Sequence, residues 1–127
     1  MGYLLDTHCF LWAIKQPDRL SKRIASLLTA GNSQILLSAA SLWEIAIKAG
    51  AGRLDVPREP EFFARHMDVL GLQPLAVQTW HVNRIFHLPD HHKDPFDRLL
   101  VAQALVEDLT ILTADPAIGR YDVKTLW

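Results

Sequence analysis

Gly2-Tyr-Leu-Leu-Asp6 decides how this chain is read. Three apolar residues in a row, Tyr3, Leu4 and Leu5, suit a short strand buried on both faces, as strands of parallel sheets are. An acid then stands where that strand must stop. The same pattern returns in Leu109-Thr-Ile-Leu-Thr-Ala-Asp115. Working inward, Gln34-Ile-Leu-Leu-Ser38 is followed by Glu44, and Asp97 falls in the opening turn of Phe96-Asp-Arg-Leu-Leu-Val-Ala-Gln103. Carboxyl ends of the strands in an open, mostly parallel sheet share one edge, and ligands bind along it. Four carboxylates gathered there repel one another unless they are protonated or bridged by a cation. Oxygen ligands select Mg²⁺ or Mn²⁺ over Zn²⁺. Metal with carboxylates points to phosphodiester chemistry, in which a bound water is oriented and activated.

The segments between these acids alternate strand and helix. Helices are expected from Thr7 to about Lys15 and from Ser21 to Ala30, where Gly31-Asn32 supplies a stop. Another carries Leu42 to Lys48 and closes at Gly50-Ala-Gly52. Pro60 suits the first position of a helix reaching Leu70, with Gly71 ending it. Further helices are expected from Thr79 to His87 and from Asp94-Pro95 to Glu107. Strands are expected at Ile35 to Leu37, at Leu72 to Val77 (weakened by Pro74), at Thr110 to Thr113, and at Val123 to Trp127 on an edge. The expected fold is α/β, a central mostly parallel sheet flanked by helices in three layers, with residues 1–127 as a single domain.

Half of the 127 residues are hydrophobic and 21% are charged, enough for a real core and unlike a disordered chain. The formal net charge of −1 gives no bulk signature of a nucleic-acid binder, so such contacts must come from a local patch. Cys9 is the only cysteine, which excludes an intramolecular disulfide and fits a reducing cytoplasm. It is expected on a buried helix face. The N-terminus lacks the features of a signal peptide, and no apolar run has the length of a membrane span.

Each acid has a plainer role beside the chemical one. Asp6 could cap the helix that starts at Thr7. Glu44 stands three residues after Ser41 at capping-box spacing, but would be free to face the crevice if the helix started nearer Ser38. Asp94, before Pro95, is read mainly as a cap and as an outer partner of the site. Asp97, one turn on, is read mainly as a metal ligand. Asp115-Pro116 could be only a turn. His8 beside Asp6 is a pocket candidate, whereas His91-His92 read as solvated surface. Thr7 and Thr113 could hold carboxylates through their hydroxyls or simply pack. Among the bases near the acids, Lys48, Lys93 and Arg98, the last is the favoured phosphate contact.

Leu4-Leu-Asp-Thr-His8, Ser41-Leu-Trp-Glu-Ile-Ala-Ile-Lys48, His92-Lys-Asp-Pro-Phe-Asp-Arg-Leu-Leu-Val-Ala-Gln103 and Leu112-Thr-Ala-Asp115 occur in that order. As a set they resemble the PIN-domain ribonucleases, specifically the VapC-type toxins of toxin–antitoxin pairs. The resemblance spans essentially the whole chain. It implies that Asp6, Glu44, Asp97 and Asp115 are the family's acidic quartet, with Asp94 an additional acid. It also implies Mg²⁺- or Mn²⁺-dependent cleavage of RNA by water, leaving a 3′-hydroxyl and a 5′-phosphate. Homodimers are implied, together with a small antitoxin that blocks the active site and binds operator DNA. Many relatives carry Asn where this chain has His8. Leu54 to His87 carries no family motif and is expected to form dimer or antitoxin contacts.

A second class, Mg²⁺-dependent phosphoryl-transfer or signalling domains such as phosphatases and receivers, places acids similarly. A phosphatase wants a second Asp two positions after the first, where this chain has His8. A receiver domain wants an acidic pair at the first strand and a late lysine, neither evident here. A catalytically inactive module on the same fold is the third reading, and retention of all four acids argues against it.

Overall fold

The computed structural model describes residues 2–127. Five strands form one wholly parallel sheet in the order β3-β2-β1-β4-β5. They are β1 (Gly2–Leu5), β2 (Gln34–Ser38), β3 (Leu72–Leu75), β4 (Thr110–Leu112) and β5 (Thr125–Leu126). The chain builds β1, β2 and β3 outward in one direction, then returns to the other side of β1 to add β4 and β5. The order therefore reverses between β1 and β4, where an open parallel sheet leaves a crevice at its carboxyl edge. Asp6 follows β1 and Asp115 lies just beyond β4, so both belong to that crevice.

Among the described residues six α-helices connect the strands: α1 (Thr7–Lys15), α2 (Lys22–Ala30), α3 (Ala39–Gly50), α4 (Phe62–Leu70), α5 (Thr79–Ile85) and α6 (Pro95–Glu107). Successive strand residues face opposite sides, and the core divides accordingly. Leu4 and Ile111 pack with Leu100, Val101 and Ala104 of α6. Leu5 and Leu112 pack on the other face with Cys9 and Phe10 of α1, Ile24 of α2 and Ile45 of α3. Leu4, Leu5, Ile111 and Leu112 are completely buried. Full burial of an aliphatic side chain is worth roughly 1.5–3 kcal/mol, so the two central strands anchor both layers.

Local chemistry sets the element ends. Ser21 caps α2 by accepting from the Ile24 N–H, and Gly31 and Gly71 end α2 and α4 at φ +71° and +67°, a conformation open to glycine. Three expectations are corrected. Pro60 lies in the turn before α4, whose cap position is Glu61, so it is not the first helical residue. Helix α5 ends at Ile85, two residues early, and β5 is only two residues long. Pro74 sits inside β3 opposite Leu37 without breaking it, because β3 is an edge strand and a missing N–H is tolerated there. Among the described residues no helix is long and apolar enough to cross a membrane.

Candidate active site

Asp6 occupies the cap position of α1, but its side chain makes no capping hydrogen bond. Instead Oδ2 accepts from the Thr113 hydroxyl at 2.9 Å, across the junction of β1 and β4. The backbone closes the same junction, with the Asp6 N–H donating to Leu112 O at 3.1 Å. Thr113 also accepts from the Asp115 N–H at 3.0 Å, so one buried hydroxyl ties both strand-end acids. Burial pushes the Asp6 carboxyl above its ordinary value; the Thr113 hydrogen bond and His8 oppose the rise, while Asp115 adds to it. The Thr7 hydroxyl is engaged elsewhere, donating to Ser41 Oγ at 2.8 Å and joining α1 to α3.

The start of α3 resolves the two roles open to Glu44. Ser38 is the cap, accepting from the Ala40 N–H at 3.0 Å, so Glu44 stands in the second turn and forms no capping box with Ser41. Glu44 is buried in an apolar stretch, and its Oε2 accepts from Lys48 Nζ at 2.7 Å. Its Oε1 and Asp6 Oδ1 are the buried side-chain polar atoms left without a hydrogen-bond partner among the described residues. Buried polar atoms are nearly always paired. Both exceptions therefore fall on acids singled out from sequence.

Asp94 caps α6, its Oδ1 accepting from the N–H groups of Phe96 and Asp97 at 2.9 and 3.1 Å. Asp97 follows in the first turn, with its carboxyl pushed up to about 6 by burial and then by Asp94 and Asp6; Asp115 adds to the rise and the His92 hydrogen bond opposes it. Asp97, on a helix, thus senses the strand-end acids Asp6 and Asp115. Asp115 is also a turn former, its Oδ1 accepting from the Ala117 N–H at 2.9 Å, so the plainer reading holds for one of its oxygens.

The histidines depart from expectation. His92 is turned inward: Nε2 lies 3.3 Å from Asp97 Oδ2 and Nδ1 lies 2.7 Å from the Tyr121 hydroxyl. His91 packs edge-on against the Tyr121 ring. Tyr121 is buried, and no local pattern around His91-His92 announces a partner 29 positions away. His8 is the exposed histidine of the site. Arg98, the favoured phosphate contact, donates to Pro89 O at 2.9 Å and to the Tyr121 hydroxyl at 3.0 Å, so its guanidinium is committed within the protein. Lys48 is held by Glu44, while Lys93 is exposed beside Asp94.

Among the described residues no three Asp, Glu, His or Cys side chains stand close enough together to hold a cation between them at once. The donor set nonetheless suits a hard cation that keeps several waters and takes only one or two carboxylates directly. Asp6 and Glu44 each offer an unpartnered oxygen for that purpose.

Residues 3–124 match the family model described as the PIN domain. The chain belongs to the PIN family. Several solved structures share this PIN architecture at low sequence identity. VapBC2 from Rickettsia felis, bound to a DNA fragment from its promoter, superposes with a TM-score of 0.72 at 20% identity, over 99% of this chain and 98% of that one. FitAcB from Neisseria gonorrhoeae gives 0.69 at 18%, covering 100% and 97%. DNA-bound VapBC from Salmonella typhimurium gives 0.69 at 17%, covering 99% and 97%. Among proteins of curated function, none matches this chain.

Proposed function

We propose that this PIN domain is a metal-dependent endoribonuclease and the toxin of a toxin–antitoxin pair. The observation that carries this reading is the pair of unpartnered oxygens on buried acids, Asp6 Oδ1 and Glu44 Oε1. Such atoms cost about 1–3 kcal/mol each if left unsatisfied, a cost a bound cation removes. Asp6, Glu44, Asp97 and Asp115 are the residues that would hold Mg²⁺ or Mn²⁺, one or two of them directly and the others through its waters. A divalent cation there supplies a water of lowered pKa and stabilises charge on a phosphoryl oxygen.

The chain's own groups prepare that place. Thr113 fixes Oδ2 of Asp6 and leaves Oδ1 free. Asp94 holds the first turn of α6 and so sets where Asp97 stands. Lys93 and the exposed His8 flank the crevice and suit contacts to an RNA backbone, consistent with a chain of net charge −1 that relies on local cations. Cleavage by water would leave a 3′-hydroxyl and a 5′-phosphate, as the family resemblance implies.

The partner assignments follow the same reading. Two of the structures named above are VapBC proteins bound to DNA, and another of this fold, from Klebsiella pneumoniae, is a toxin–antitoxin complex; these support a cognate antitoxin here, with operator DNA reached only through it. Beside α3 lies an apolar cleft of about 300 Å³ lined by Ile45, Ala49, Val56, Pro57 and Phe63, a fitting seat for an antitoxin segment. Trp80, Val82 and Phe86, on and just after α5, are exposed and suit a homodimer contact. A cytoplasmic location accords with the lone buried thiol.

The test is cleavage of total RNA by the purified chain with Mg²⁺ or Mn²⁺ against EDTA, with Asp6→Asn as control. Metal-dependent cleavage lost in the variant is expected. A folded protein that takes up no Mn²⁺ and cuts no RNA would be an inert PIN module instead.

A further inference from the structure

We propose that His92 is a positioning residue for Asp97, locked by Tyr121 and Arg98 in a one-way chain of hydrogen bonds ending on Asp97 Oδ2. The proposal rests on the metal-site reading above and assigns it a residue outside the acidic quartet.

The direction of the chain follows from what each group can do. A guanidinium only donates and a carboxylate only accepts. Arg98 donates to the Tyr121 oxygen at 3.0 Å, so the phenol proton is left to donate to His92 Nδ1 at 2.7 Å. Nδ1 then accepts, the ring proton sits on Nε2, and Nε2–H donates to Asp97 Oδ2 at 3.3 Å. For a neutral imidazole beside an ionised Asp97, this assignment gives every link one donor and one acceptor. The chain is sheltered: Tyr121 is 3% exposed, and the side chains of Arg98, Asp97 and His92 are 14%, 13% and 18% exposed. Oδ1 of Asp97 takes no part in it. One oxygen is thereby held by His92 and the other lies outside the chain, a division like the one Thr113 imposes on Asp6. Hydrogen bonds that orient a ligating carboxylate in this way commonly change metal affinity about 10- to 100-fold when removed.

The experiment titrates Mn²⁺ into the full chain at about pH 7.5 by calorimetry, for wild type and for His92→Ala, His92→Gln, His92→Asn and Tyr121→Phe. Circular dichroism confirms that each is folded. A glutamine amide can occupy the Nε2 position and donate to Asp97; an asparagine amide occupies the Nδ1 position and cannot. The expected result is a Kd raised about 10-fold or more by His92→Ala and His92→Asn. His92→Gln stays within about 3-fold of wild type, and Tyr121→Phe falls between. A merely structural role would not separate Gln from Asn. ¹⁵N spectra of the wild-type histidines are expected to show the His92 proton on Nε2, a result that needs no variant.

Equal affinities for the Gln and Asn variants, a folded His92→Ala within about 2-fold of wild type, or a proton on Nδ1 would each overturn the proposal. Mn²⁺ uptake that depends on His92 in a protein that cuts no RNA would retire the nuclease reading and keep this one. Metal-dependent cleavage that His92→Ala leaves intact in kcat and KM would do the reverse. Absence of Mn²⁺ uptake by the wild type removes both.

Discussion

Ser38 donates a 2.5 Å hydrogen bond to the side-chain carbonyl of Gln103, joining the cap of the Glu44 helix to the helix that carries Asp97. Both residues are completely buried. The Gln103 amide continues the link to Ala76 O at 3.2 Å and lies 3.3 Å from His81 Nδ1, while His81 Nε2 reaches Glu107 at 2.8 Å. Gln103→Leu would strand several of these groups at once. We expect a loss of roughly 2–4 kcal/mol in urea unfolding. A loss below about 0.5 kcal/mol, the size of an ordinary surface change, would show that the network is not holding the two helices.

Removing an acid from the crevice should separate activity from stability. Asp6→Asn and Asp97→Asn are each expected to lower RNA cleavage about 100-fold or more, beyond what an outer partner of a metal ligand is worth. Without metal, both variants should melt at or above the wild-type temperature, since a buried charge and its repulsions are gone. Parallel loss of folding and activity would contradict this.

The pH dependence has a definite sign. Folded Asp97 holds its proton up to about pH 6, whereas in the unfolded chain the carboxyl has its ordinary value of 3.8. Between these values the folded state binds more protons, so this contribution is greatest at low pH and declines as pH rises through the window. Asp6 is shifted in the same direction. Melting temperatures in EDTA between about pH 4 and 7 should fall more steeply for wild type than for Asp97→Asn.

Metal should reverse that decline. Because Mg²⁺ or Mn²⁺ requires ionised carboxylates, its stabilisation is expected to be larger at about pH 7.5 than at about pH 5. At roughly a hundredfold excess over Kd the gain is about 2.7 kcal/mol. Thermal melts with and without Mn²⁺ at the two pH values measure it, and equal shifts at both would mean that these acids are not the ligands.

Lys48 is the last member of the cluster to test. It is the hydrogen-bond partner of Glu44 Oε2, and Oε1 already has none. Lys48→Met should cost roughly 1–3 kcal/mol in the absence of metal by leaving the buried carboxylate bare. Mn²⁺ should restore much of it. An unchanged urea midpoint would assign Lys48 to the surface, the plainer reading its sequence position allowed.

How much was legible in the chain depended on the range over which the signal acts. Tyr3 to Leu5 reads as a buried strand because burial on both faces demands an unbroken apolar run, Thr110 to Thr113 reads as a strand one residue longer than β4, and α6 announces itself through Asp94-Pro95. Glu44 stayed open between two roles because two serines three residues apart are equally good caps, and only packing selects Ser38. His92 was read as surface and Arg98 as a phosphate contact for one shared reason. Their partner is Tyr121, brought in by a 3₁₀ turn over Ile118–Arg120 that carries no local mark of its destination. Pro60 fitted a helix start by its own preference, yet the turn of Glu59 and Phe62 begins the helix later.

Strand β1 lies at the middle of the sheet, between β2 and a β4 that comes more than a hundred residues later. A ribosome extending this polypeptide holds Asp6 exposed, with neither the Thr113 hydroxyl nor the Leu112 carbonyl yet synthesised to receive it. Truncated products of stalled or prematurely terminated translation therefore lack an assembled crevice. If the chain is poisonous to the cell that makes it, its danger is deferred until β4 has been synthesised, giving an inhibitor translated nearby time to be waiting.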